Sequence, residues 1–340
     1  MQLFTKTEMP ERLPELSYAD SIMLLGSCFA DGMGQRLTAA RFRCDVNPFG
    51  TLYNPFSITK ALRRIVAGHE YTEDDLVQYG GLWHSMMHHG SFSTPDRSET
   101  LHLINNRLAK AHDALHDVPL LILTLGSAWV YSAKGDGEDT GLPAGTVVGN
   151  CHKMPESWFC RRRLTVEEIV ADCSSLFAEL FATIPRLRVL MTVSPIRHVR
   201  DGLHGNQLSK ATLLLAVDEL SRMHAGRVCY FPAYEILNDE LRDYRFYADD
   251  LVHPSAMATD YVWQCFCEHC LTKEAKDVMQ SVNKIEKMMG HRPLHPEGDE
   301  YRRFLCQIML SIETLCAKYP YFDFTKELEE CRTRLNILQK

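Results

Sequence analysis

No run of the chain is apolar for the length that a bilayer span requires. The residues after Met1 pass within a few positions into charged and proline-containing sequence, not into the apolar core of a secretory signal. Both absences predict a chain that stays out of membranes and is not exported, hence a cytoplasmic one. Positive charge is short as well: 37 Lys and Arg stand against 44 Asp and Glu, a formal net charge of −7, which offers nucleic acid no extended basic surface. The run Arg161-Arg162-Arg163 is too brief to make one and reads as a solvated face or a rim that neutralises substrate charge. There is no internal repeat, and no His or Cys spacing of a standard zinc site. Twelve cysteines are many, yet they form no periodic framework and Cys265, Cys267 and Cys270 fall inside one apparent helix, so reduced thiols are expected. What remains is an ordinary globular composition, 45% hydrophobic and 24% charged, with 340 residues available for one large core or two domains.

The stretch Ser21-Ile22-Met23-Leu24-Leu25-Gly26-Ser27-Cys28-Phe29-Ala30 organises the rest. Its four consecutive apolar residues, Ile22 to Leu25, suit a strand buried on both faces. Gly26 permits a tight exit, and Ala30 to Ala40 predicts a helix with Phe29, Met33 and Leu37 along one stripe. Further buried strands are predicted at Leu120–Leu125, Arg188–Val193 and Arg227–Phe231, with a weaker one over Arg41–Val46. Helices are predicted over Ser57–Gly68, Ser98–Leu115, Leu208–His224 and from Pro254 or Ser255 to Leu271. Another runs to Thr183 from Thr165, whose spacing to Glu168 makes a capping box. Residues 126–163, with turn marks at Gly135, Gly137, Gly141, Pro143 and Gly145, read as an insertion over the sheet edge or a rim of the site. Strands alternating with helices predict an α/β fold, a three-layer, doubly wound, mostly parallel sheet. The charged tail from Lys273 to Lys340, divided by Pro293, Pro296 and Tyr319-Pro320, predicts a helical extension of about three helices that packs on the domain or supports a homo-oligomer. The expected domains are 1–272 and 273–340.

Ser27 stands where a buried strand ends and a helix begins, the place where open α/β sheets bind ligands. It reads either as the helix cap or as a nucleophile beside free N–H groups. Asp250-Leu251-Val252-His253 spaces a carboxylate and an imidazole by three residues, so that His253 can take a proton from a hydroxyl and Asp250 can hold the ring; Asp249 competes for that place. His84, His88 and His89, with His152 and Cys151, invite a metal reading, but a serine triad needs neither metal nor cofactor. Cys28 is a rival nucleophile whose side chain is expected to point away from Ser27, into the core.

Gly26-Ser27-Cys28-Phe29-Ala30 resembles the signature of the GSCFA domain family, placed near the SGNH (GDSL-like) hydrolases. The resemblance continues through the blocks that begin at Asn47, Leu125, Asn150, Ser194 and Asp250 and covers roughly residues 1–270. It implies an SGNH-hydrolase or flavodoxin-like sheet and a Ser27, His253, Asp250 triad, the last two from the final Asp-x-x-His block. It also implies oxyanion donors from the amides of Ser27 and Gly50. The Gly-x-Asn-Asp block is absent: Ala128 stands where its asparagine belongs, which leaves Asn150, Asn54, His152 or Ser127 to supply the third donor. Arg197 and His198, just past a strand, are expected in the crevice, where they bind an anionic or polyhydroxylated substrate or serve as scaffold; Asn54 and His152 are further substrate-binding candidates. The resulting expectation is a serine esterase acting on a short acyl, perhaps acetyl, ester of a polar or carbohydrate-like molecule. An acyltransferase, a metal-assisted hydrolase and a non-catalytic polar-ligand binder are the alternatives.

Overall fold

The computed structural model describes residues 5–135 and 140–337; Gly137, read above as a turn mark, and the first four residues lie outside them. The chain divides into two compact units, one of Met1–Arg36 with Arg43–Leu271 and one of Leu37–Phe42 with Thr272–Lys340.

The first unit is built on strands β1 (Ser21–Gly26), β2 (Arg43–Val46), β5 (Leu120–Leu125), β9 (Arg188–Val193) and β10 (Val228–Tyr230). They make one parallel sheet in the order β10-β9-β5-β1-β2. Counted by first appearance in that sheet this is the 2-1-3-4-5 order of flavodoxin-like folds, which puts the topological switch between β1 and β5. Met23, Leu25, Leu121, Leu123, Val189 and Met191 face one side and pack in a common core with residues of α2 (Pro55–Ala67), α3 (Arg97–Leu115), α4 (Val166–Thr183) and α5 (Gly202–Met223). The alternate residues Ile22, Leu24, Ile122 and Leu190 are buried too, so both faces are covered, as the unbroken apolar runs require. Each such side chain contributes about 1.5–3 kcal/mol by leaving water. Helix ends follow local rules. Asn54 caps α2 by accepting from the Ser57 amide at 2.8 Å, with Pro55 at the first position and Gly68 left-handed at the end. Thr165 and Glu168 form the expected capping box of α4.

Helix α1 (Cys28–Ala39) begins two residues earlier than predicted, and α5 six residues earlier. Residues 70–98, irregular by sequence, contain the hairpin β3 (Leu76–Tyr79) and β4 (Leu82–Ser85). The insertion after β5 is a small antiparallel sheet, β7-β6-β8, of β6 (Trp129–Ala133), β7 (Val147–Val148) and β8 (Phe159–Arg163). After β10 a short helical turn α6 (Ala233–Glu235) runs into a π-helical turn at Ile236–Leu241, and Ser255 caps α7 (Ala256–Cys270). All twelve cysteines are free thiols. No helix among the described residues is long and apolar enough to cross a membrane.

The second unit contains α8 (Lys273–Met289), α9 (Asp299–Lys318) and α10 (Thr325–Ile337). Val278, Val282, Ile285, Leu305, Ile308, Ile312, Phe324 and Cys331 are among its buried residues. Arg41 lies 4.4 Å over the Phe324 ring and pairs with Glu327.

Candidate active site

Strand β1 leaves the sheet at Gly26, whose φ is +149°. A Cβ at Gly26 would stand 2.2 Å from the Thr124 carbonyl oxygen, so only glycine lets β1 close against β5 at this point. The Gly26 amide donates to Asn47 Oδ1 at 2.8 Å, and Asn47 Nδ2 donates to Asp31 Oδ1 at 2.5 Å, which ties the end of β2 to the same turn. The two residues that follow part company. The Ser27 amide donates to Thr124 O at 3.2 Å and its carbonyl accepts from Ala30 at 2.7 Å. Its hydroxyl has a 3.4 Å contact with the Phe29 amide, and the residue is 2% exposed. Cys28 opens α1, is half-buried, and places its Sγ 3.8 Å from His253 Nε2.

This reverses the expectation for the pair. Ser27 is held against the end of β5 as a cap and is not among the residues lining the cavity; Cys28 faces the site rather than the core. The reason is the turn at Gly26, which presses Ser27 against Thr124 and gives the outward position to the next residue.

His253 sits on a loop closed by a bridge between Tyr247 and Pro254 and by the bond from the Ala248 amide to the His253 carbonyl, 2.8 Å. Asp250, not the neighbouring Asp249, holds the ring. Its Oδ1 accepts from the amides of Val252 and His253, each at 2.9 Å, and its Oδ2 lies 2.6 Å from His253 Nδ1. The His253 amide first, then the Val252 amide and the ring, hold the Asp250 carboxyl down to about 2. A carboxylate at Nδ1 fixes the proton there and leaves Nε2 as the acceptor that faces the thiol. Burial, then the Asp31 carboxylate, pushes the Cys28 thiol up, against the opposing pull of the Cys28 and Phe29 amides and of Lys210. The shift favours the thiol over the thiolate at Cys28.

Cys28 and His253 open into a cavity of about 690 Å³. Of the other residues singled out by sequence, Asn54, Asn150, Arg197, His198 and Ser127 line it, as do His89, Cys151 and Arg161, and Gly50 and His152 do not. Asn54 spends Oδ1 on the Ser57 amide, which leaves its NH2 as a donor. Asn150 spends Oδ1 on the His152 amide at 2.8 Å, so it fixes a turn and also keeps an NH2 end. The Ser127 hydroxyl accepts from the Trp129 amide at 3.1 Å and touches Ser209 Oγ at 3.4 Å. His198 Nε2 is 2.7 Å from the Gly126 carbonyl, and burial, then Lys210, lowers its pKa, so it is a neutral imidazole donating to that oxygen.

Two backbone donors expected for an oxyanion are already used. The Gly50 amide donates to Asn47 O at 2.7 Å and the Ser27 amide to Thr124 O. Gly50, with φ +77°, instead lets the chain pass under His89, whose Cβ lies 2.2 Å from where a Gly50 Cβ would be. His152 is likewise structural: its Nε2 is 2.9 Å from Ser85 O and its ring is 4.3 Å from that of His84. Burial pushes His152 down to about 4 and His88 down to about 3. His84 is engaged by Ser93 Oγ at 2.7 Å and Tyr79 O at 3.1 Å. Among the described residues no group of three or more His, Cys, Asp or Glu is placed to hold a metal ion.

Sequence reasoning missed the support beneath the site. Lys210 is buried, and its Nζ donates to Gly126 O at 2.7 Å and Ser194 O at 2.6 Å, joining the exits of β5 and β9; burial pushes it down to about 7. The signal was present: Asn206, Ser209, Lys210 and Leu213 share the buried face of α5, and polar groups on such a face need assigned partners. Trp129, Tyr131 and Phe159 from the small sheet form an aromatic wall of the cavity.

In fold the chain is similar to a carbohydrate esterase family 3 protein from Talaromyces cellulolyticus, at 10% identity over 78% of this chain and 99% of that one, with a TM-score of 0.35. It is similar too to an acetyl xylan esterase from the rumen bacterium Butyrivibrio proteoclasticus, at 10% identity over 80% of this chain and 65% of that one, TM-score 0.33. Likenesses this distant bear on neither activity nor substrate. No curated protein matches the sequence. The GSCFA family model matches residues 21–266, and the model for the C-terminal domain of GSCFA domain proteins matches residues 282–337. With most of its length so matched, from the strand that leads into Gly26-Ser27-Cys28 to the helix after His253, the chain belongs to the GSCFA family.

Proposed function

We propose that this protein is a thiol-dependent acyl-ester hydrolase in which Cys28 is the nucleophile, His253 the general base and Asp250 the residue that orients it. The observation that carries the reading is one ring with a partner on each side: Nε2 3.8 Å from Cys28 Sγ and Nδ1 2.6 Å from Asp250. Cys28 Sγ attacks the ester carbonyl as His253 Nε2 takes the thiol proton. The tetrahedral oxyanion is received by the Cys28 amide at the first turn of α1 and by the NH2 of Asn54, the donor that stands in for the missing Gly-x-Asn-Asp asparagine. The tetrahedral intermediate collapses, the C–O bond breaks, and the proton on His253 passes to the leaving alcohol. Water then attacks the thioester, giving its proton to His253, and the acid leaves as the thiol is restored.

The aromatic wall suits a ring-bearing or polyhydroxylated alcohol, and a short acyl group fills only a small part of about 690 Å³. That spare room also favours a second reading, transfer of the acyl group to an acceptor seated beside the thioester. Turnover of p-nitrophenyl acetate with and without added alcohols or amines separates the two, since transfer yields an acylated acceptor in place of free acetate. The test of the main reading is turnover by wild type against Cys28→Ala, His253→Ala and Ser27→Ala. Only the third should remain active, and loss of activity confined to Ser27→Ala sinks the proposal.

A further inference from the structure

We infer that the substrate of this site bears an anionic group, a carboxylate or phosphate, and that Arg197 receives it. The inference rests on the reading of Cys28 as the acylated residue. Four cations line the cavity, Lys153, Arg161, Arg197 and Arg200. Two of them are already neutralised. Arg161 forms a two-armed pair with Asp201 and lies 4.3 Å over the Trp129 ring. Arg200 pairs with Glu156 at 2.5 Å and lies 5.5 Å over Tyr131. These two brace the aromatic wall.

Arg197 and Lys153 have no carboxylate within ion-pair distance among the described residues. Arg197 is half-buried and well anchored: its amide donates to Val252 O at 3.3 Å and its guanidinium lies 4.9 Å from the Tyr247 ring centre. Both contacts belong to the loop that carries Asp250 and His253. Asp250 on that loop has both oxygens committed to Val252 and His253. His198 is neutral and bound to Gly126 O, so it neither repels nor replaces the cation. A positioned guanidinium without a counter-ion, in a chain of net charge −7, is a fork of donors waiting for oxygens, and its planar geometry matches carboxylate and phosphate better than scattered hydroxyls. Lys153, exposed at the rim, adds attraction at longer range that salt will screen.

The test compares alkylation of Cys28 by iodoacetate, an anion, with that by neutral iodoacetamide, read by peptide mass. Exposed Cys306 in the same chain serves as the internal reference. The iodoacetate-to-iodoacetamide rate ratio at Cys28 should exceed that at Cys306 by about tenfold, the effect of roughly 1.4 kcal/mol. It should fall to the Cys306 value in Arg197→Gln, recover in part in Arg197→Lys, and drop by a smaller factor in Lys153→Gln. Inorganic phosphate or succinate, whichever resembles the natural group, should slow the iodoacetate reaction in wild type and not in Arg197→Gln. Equal ratios at Cys28 and Cys306, or a Cys28 preference unchanged by Arg197→Gln, overturn the inference and leave the thiol mechanism standing. A Cys28 that reacts with neither reagent overturns both.

Discussion

The histidine cluster beside the site and His253 within it look alike in the sequence, and the fold makes them opposite. His84, His88 and His152 cluster in sequence and in space. Both nitrogens of His84 are spent on Ser93 Oγ and Tyr79 O, Nδ1 of His88 on Ser85 Oγ and Nε2 of His152 on Ser85 O, while His88 Nε2 is buried without a partner and the ring stacks on Phe49 at 4.3 Å. His84 and His88 buried and His152 half-buried, they hold the hairpin and the loop after it in place. His253 stands alone, about half exposed, with a carboxylate behind it and a thiol in front. Imidazoles grouped together proved to be mortar, and the solitary one is equipped to move a proton. What makes the difference at His253 is a ring held at Nδ1 by a carboxylate, with Nε2 facing a thiol in the cavity.

The comparison can be broken by substitution, beginning where the effect is largest. Cys28→Ala should abolish ester turnover, and His253→Ala should lower it by about 10²–10⁴-fold, the usual worth of a positioned general base. Asp250→Asn should follow with a loss on the order of 10²-fold, measured as kcat on p-nitrophenyl acetate, because the ring then loses its fixed tautomer. His88→Phe should leave kcat within a few-fold and act on stability instead. His88 titrates near 6.5 when unfolded and near 3 when folded, so the unfolded chain binds its proton first. Its contribution is complete above about pH 6.5 and drains away as pH falls toward about 3. Denaturant melts at pH 7 and pH 4 should show that acid sensitivity flattened in His88→Phe; an unchanged pH slope contradicts a buried neutral His88. Smallest of all, Ser27→Ala should cost about 1 kcal/mol as a lost helix cap and alter kcat by less than a few-fold, by thermal unfolding and the same assay.

The frame was legible because its strands are buried on both faces. Ile22–Leu25 is apolar throughout, Leu120–Leu125 and Arg188–Val193 are interrupted inside the strand only by the β-branched Thr124 and Thr192, and Thr165–Glu168 marks a helix start by chemistry alone. Asp250 and His253 were legible as a pair since a short loop leaves three-residue neighbours little freedom. The hairpin at Leu76–Ser85 was not, its strands being four residues each, although Gly80-Gly81, both at positive φ, are the residues a tight turn favours. The choice between Ser27 and Cys28 was beyond reach for a sharper reason. Which of two adjacent side chains faces the crevice depends on the φ of Gly26, and that angle is set by contact with Thr124, nearly a hundred positions away in the chain. Gly50 was a similar case: a glycine at the right place, with its amide taken by Asn47.

The most direct measurement is the identity of the acylated atom. The protein is quenched during turnover of p-nitrophenyl acetate, digested, and the peptide spanning Gly26-Ser27-Cys28 sequenced by mass, with neutral hydroxylamine to tell thioester from ester. The account predicts acetate on Cys28, removed by hydroxylamine, retained in Ser27→Ala and absent in Cys28→Ala. Acetate on Ser27, stable to hydroxylamine and lost in Ser27→Ala, contradicts it.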